Sequence, residues 1–219
     1  MNPSTKPKIP PTLGLIIGIT AVSTASTLVR LAQMEMSSLA IAAWRLTIAS
    51  TILAPFALAT QRRAWRKLDR HSWRLMLASG VILAVHFYTW IASLSMTSVA
   101  ASVVLVTTHP LFVGILSHFI LKERLSRPMV IGMLIAFVGS FIIGMGDLGQ
   151  GRHRIVGDLL ALVGGLAMAL YMLIGRRLRA NLSLLGYIFP VYGTAAVVLR
   201  AAALLTRPPL WRLAPRTWL

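Results

Sequence analysis

The sequence predicts an all-α, multi-pass transmembrane helix bundle of about seven helices, and three observations carry that prediction. Hydrophobic residues make up 57% of the chain and charged ones 12%, with a mean hydropathy of +0.76, so water is not the main solvent of its surface. Apolar runs of roughly the 20 residues needed to cross a hydrocarbon core recur between short polar breaks. Lysine and arginine fall almost wholly in those breaks.

The first run, Leu13 to Val29, follows Lys6 and Lys8 as the core of a signal peptide would. Further runs follow it, so it reads as a first span. The others are expected at Leu39 to Ala59, Trp73 to Leu94, Val99 to Leu121, Met129 to Met145, Ile155 to Gly175 and Leu184 to Leu205. Small residues at close-packing spacing, Gly14 with Gly18, Gly132 with Ala136 and Gly139, and Ala161 with Gly165, are expected to let helices approach inside the bundle.

Every second break is strongly basic: Arg62, Arg63, Arg66, Lys67, Arg70 and Arg74, then Lys122, Arg124 and Arg127, then Arg176, Arg177 and Arg179. The alternate breaks hold Arg30 with Glu35, nothing charged between Leu94 and Val99, and Arg152 and Arg154 with Asp147 and Asp158. Basic loops stay on the cytoplasmic side, so the N-terminal tail, residues 1–12, is expected in the cytoplasm and the chain in a bacterial inner (plasma) membrane. Arg207, Arg212 and Arg216 depart from this alternation.

A net charge of +17 raises the alternative of nucleic-acid binding. The charge is scattered over short breaks, with no basic arm or helix, so the expected partners are the lipid bilayer and a small molecule rather than nucleic acid. The chain has no cysteine, which excludes disulfides, thiol chemistry and cysteine-bound zinc or iron–sulfur sites. Catalytic carboxylate pairs, a Ser-His-Asp order, phosphate-binding glycine loops and HExxH are missing too, so no enzyme, cofactor or metal is expected. No acidic residue is expected inside a span.

Several polar residues lie within apolar runs. Arg45, in the second, is a cation at membrane depth that must face the interior; a counter-charge for an anionic substrate and a partner for helix carbonyls both fit. Arg200, in the seventh, lies nearer a helix end and is expected to snorkel. Pro110 follows Thr107, Thr108 and His109 mid-helix and leaves the Val106 carbonyl without its amide partner, so a kink or break is expected there. His86 and Trp90, four apart, share a helix face with Tyr88 roughly opposite. A proton relay and a histidine satisfied by a carbonyl are both open. Tyr171, Tyr187 and Tyr192 suit an aromatic-lined cavity or an interfacial belt.

The stretch Thr97-Ser98-Val99-Ala100-Ala101-Ser102, then Pro110-Leu111-Phe112, Leu121-Lys122-Glu123-Arg124-Leu125-Ser126, Gly132 and Gly139 resembles the end of an EamA repeat, of the drug/metabolite transporter superfamily. Arg45 and Gly157-Asp158 fit the same pattern. The resemblance implies ten helices in two inverted five-helix repeats, and secondary, non-ATP alternating-access transport of small metabolites or drugs through a central cavity. It implies a first repeat over 13–146 and a partial second over 155–219, C-terminally truncated by three helices. Arg45, His86, Trp90, Thr107, His109, Pro110, Tyr171 and Tyr192 are the expected substrate-binding or cavity-lining residues. A truncated, non-transporting membrane protein, an assembly partner and a homodimer are the alternatives.

Overall fold

Short polar side chains set where several helices begin. Ser37 Oγ accepts the Ala40 amide at 3.2 Å, Asp69 Oδ1 the Ser72 amide at 3.0 Å, Ser98 Oγ the Ala101 amide at 3.0 Å and Ser183 Oγ the Gly186 amide at 3.0 Å. In a computed structural model, which describes residues 11–148 and 151–206, the helices are α1 (Pro11–Ala32), α2 (Ser38–Thr60), α3 (Arg62–Trp65), α4 (Arg70–Leu94), α5 (Val99–Val106), α6 (His109–Leu121), α7 (Arg127–Leu148), α8 (Arg152–Leu178) and α9 (Leu184–Thr206). The tail to residue 10 and Arg207, Arg212 and Arg216 lie outside the described residues.

The chain is an all-α membrane helix bundle, as its composition predicts. Among the described residues, five segments are long and apolar enough to cross a membrane: α2, α4, the α5–α6 pair, α8 and α9. α1 and α7 add two long helices at the places expected for the first and fifth spans, and Arg127–Ile142 is a shorter apolar stretch of α7.

α4 is the central element, packed along α8 and α9 and more lightly against α2, while α2 packs along α9. Their shared core includes Leu46, Met76, Leu83, Ile91, Tyr187, Val191 and Leu199. α1 and α7 lie at the margins, with most of their large apolar side chains exposed.

Close helix approach depends on particular glycines. A Cβ on Gly157 would stand 2.9 Å from the Thr97 nitrogen, and one on Gly80 2.5 Å from Thr194 Cβ, so α8 and α9 seat against the α4 region only because these positions lack side chains. Gly165, likewise, lies under the Leu105 and Val106 carbonyls, where a Cβ would be 3.1 Å from the Val106 oxygen. The other small-residue faces do not pack as expected. A Cβ at Gly14, Gly18, Gly132 or Gly139 would meet nothing within 4 Å among the described residues, because α1 and α7 turn those faces outward.

Arg30 of α1 and Gln33, just beyond its end, pin the C-terminal end of α4. Arg30 donates to the Leu94 carbonyl, and Gln33 donates to the Ile91 carbonyl at 2.6 Å and to Ser38 at 3.0 Å, supplying partners for carbonyls that a helix end leaves open. At the arginine-rich end, Trp65 of α3 donates to the Gly186 carbonyl at 2.9 Å and stacks on Phe189, tying the first loop to α9.

Asp158 corrects the expectation that spans carry no acid. α8 begins at Arg152 rather than near Ile155, which moves Asp158 into the second turn, 8% exposed and within a membrane-length segment.

Candidate functional site

Arg45 lies about a third of the way along α2 and meets α4 through ring faces. Its guanidinium carbon is 5.2 Å from the Phe87 centroid and 5.5 Å from that of Trp90. Such contacts yield about 0.5–2 kcal/mol. A cation toward the bilayer centre costs roughly 2.5 kcal/mol or more, so two rings offset only part of that. Arg45 makes no hydrogen bond or ion pair with any described residue, and the phenol of Tyr192, on α9, is close enough to interact with it electrostatically. The same arginine lines a cavity of about 650 Å³ between α1 and α2, with Ala21, Ala25, Leu28, Trp44 and Ile48.

The α4 face beneath it continues into α8. Trp90 stacks on His86, with centroids 6.2 Å apart and planes 13° apart, as their four-residue spacing predicts. His86 donates from Nδ1 to the Gly164 carbonyl at 2.9 Å, so one of its ring nitrogens is occupied structurally. Trp90 is 7% exposed, and its indole N–H has no acceptor among the described residues. Four helices thus bring Arg45, His86 with Trp90, Gly164 and Tyr192 into one neighbourhood. Phe87 completes it, and only the register of α2 on α4 reveals that.

The fourth span is broken as its proline predicts. α5 ends at Val106 and α6 starts at His109, with Thr107 and Thr108 between. The freed Val106 carbonyl accepts from His109 Nδ1 at 3.3 Å, while Thr108 Oγ1 donates to the Leu105 carbonyl at 2.6 Å. Thr107 is exposed and donates to the Val103 carbonyl at 2.7 Å; Thr108 is buried. Thr108 faces a separate cavity of about 440 Å³ between α5–α6, α7 and α8, with Phe112, Phe141, Ser140 and Asp158. Pro110 occupies the first turn of α6, exposed, where its missing N–H costs nothing.

Tyr171 lines a different cavity from Arg45. It stacks on Tyr187 at 5.7 Å, and the Tyr187 hydroxyl donates to the Tyr171 carbonyl at 3.1 Å and pairs with Ser79 Oγ at 2.5 Å. Both tyrosines line a cavity of about 360 Å³ beside Arg176 and Arg179, at the arginine-rich end. There Glu123 forms a two-oxygen ion pair with Arg176 at 3.2 Å, closing the α6–α7 corner onto α8. Lys122, the residue before it, takes the left-handed conformation that ends α6. Arg200 is exposed and stacks on Trp44 at 5.4 Å.

Comparison with known proteins places this architecture. Residues 10–145 match the EamA-like transporter family. An uncharacterized transporter of Archaeoglobus fulgidus is 30% identical over 166 residues, which cover 75% of this chain and 56% of that protein. The uncharacterized transporter YetK of Bacillus subtilis is 32% identical over 92 residues, 41% of this chain and 28% of YetK, and YyaM of the same organism is 26% identical over 144 residues, 62% and 46%. The chain therefore spans about half or less of the length of these curated relatives, and no solved structure gives a significant match. With more than half of its length matching the family and its helices arranged as a membrane bundle, the chain is a member of the EamA-like transporter family.

Proposed function

We propose that this chain forms the solute pathway, or the larger part of it, of a secondary transporter that moves small metabolites or drugs by alternating access. The observation that carries the reading is the convergence of α2, α4, α8 and α9 on Arg45, His86, Trp90 and Tyr192, a polar and aromatic cluster inside an otherwise apolar bundle. The α5–α6 break supports it, since freed carbonyls and half-helix ends at membrane depth suit solute or ion contacts. In this reading residues 13–146 form one five-helix repeat, and α8 and α9, within 155–219, open a second that is inverted relative to it. The basic breaks and the N-terminus face the cytoplasm of a bacterial inner membrane. Coupling is secondary, for the chain carries no glycine-rich phosphate loop.

Flux into proteoliposomes tests this, with Arg45→Ala as the decisive variant. Loss of flux with membrane insertion intact supports the reading; unchanged flux removes Arg45 from the pathway. A second reading has its own observation. The outward glycine faces of α1 and α7 suit close helix contact, as expected of an assembly partner or one half of a homodimer. A chain that crosslinks to itself through α1 or α7 and shows no flux at all favours that second reading.

A further inference from the structure

We infer that the cavity between α1 and α2 takes a small monocarboxylate with an apolar body, its carboxylate paired with Arg45. This rests on the transport reading above and specifies the chemical class of its solute. Arg45 is a permanently charged donor set that finds no anion and no hydrogen-bond acceptor among the described residues; its neighbours are two ring faces and a phenol. The guanidinium also lines the α1–α2 cavity, where a ligand can reach it. Unfilled donors of this kind are costly at low dielectric. A carboxylate is an acceptor-only group and supplies what Arg45 lacks.

The charge balance restricts the ligand further. One guanidinium, with neutral donors around it, compensates one negative charge; a dianion would leave its second charge uncompensated away from water. A cationic amine would face Arg45 with no carboxylate in contact to receive it. The other lining side chains, Leu28, Ile48 and the Trp44 ring among them, are apolar, which suits a hydrocarbon or aromatic body and offers a polyhydroxylated one no side chain to bond.

The test is calorimetric titration of the detergent-solubilised chain at pH 7 with phenylacetate, phenylacetamide and phenethylamine, which share a body and differ in charge. Phenylacetate is expected to bind at least about tenfold more tightly than the other two. Arg45→Gln is expected to abolish that preference and Arg45→Lys to keep part of it. Binding of phenylacetamide is expected to be unchanged in Arg45→Gln, which guards against a variant that merely misfolds. Equal binding of acid and amide by the unaltered chain, or a preference that survives Arg45→Gln, overturns the assignment while leaving the transport reading to its flux assay. No heat from any of the three also overturns it, and measurable flux once the same protein is reconstituted into proteoliposomes would then put the solute site elsewhere.

Discussion

His86 and Gly164 join α4 to α8 by a 2.9 Å hydrogen bond from ring nitrogen to carbonyl, at the level where His86 also stacks on Trp90. Interhelical bonds of this kind within membranes contribute about 0.6 kcal/mol on average and up to about 1.7. His86→Phe keeps the ring volume and removes the bond. Its expected cost lies in that range, read from unfolding in mixed micelles, and a loss well beyond it would mean that the ring does more than tie the two helices.

The glycines divide into two groups with opposite expected behaviour. Gly157→Ala places a carbon against the Met96–Thr97 backbone, which cannot rotate away, and is expected to destabilise by about 1–3 kcal/mol. Gly14→Ala and Gly132→Ala meet open space and are expected to be neutral or mildly stabilising, since alanine favours a helix over glycine. Thermal unfolding of the three variants side by side checks the contrast.

Pro110→Ala restores an amide within reach of the Val106 carbonyl, the group that His109 now serves. The α5–α6 break is expected to close toward a continuous helix, with stability unchanged or higher. If the break contributes to the pathway, flux falls at the same time; retained flux would confine Pro110 to a packing role.

The Glu123–Arg176 pair is half exposed on both sides, so water screens it, and Glu123→Gln is expected to cost less than about 1 kcal/mol in equilibrium unfolding. Raising the salt concentration should shrink even that difference.

Asp69 gives a pH dependence outside the membrane. Hydrogen bonds from Ser72, side chain first and then backbone, hold its carboxyl below the ordinary carboxylate range. A depressed folded value means that the cap contributes fully above about pH 4, the unfolded value, and is lost as pH falls through the lower folded one. Melting temperature should therefore drop on acidification below pH 4 in the native chain, and less in Asp69→Asn, which keeps a capping oxygen without a charge.

Much of this architecture is written locally. Proline without an N–H breaks a helix wherever it stands, so the interruption before Pro110 is legible from one residue and its neighbours. The shared face of His86 and Trp90 follows from helical spacing alone. What spacing does not give is the partner. Gly14 with Gly18 and Ala161 with Gly165 both have the four-residue repeat that permits close packing, yet only the α8 pair is met by another helix. Nor does a face extrapolate through a break: where α5 gives way to α6, Thr107 is exposed and Thr108 buried. Asp158 escaped for a third reason. Apolar runs mark where hydrocarbon begins, and α8 starts a turn earlier, within the basic segment at Arg152.

The interrupted fourth span also has an order in time. An eight-residue helix such as α5 is too short to persist alone, and the seat that fixes its last carbonyls, Gly165, belongs to a segment translated some sixty residues later. Val99–Leu121 is apolar enough to enter the bilayer as one stretch. Its final shape is therefore acquired after insertion, when α8 arrives, and a ribosome-bound chain halted before α8 should hold this segment in a looser state than the finished protein does.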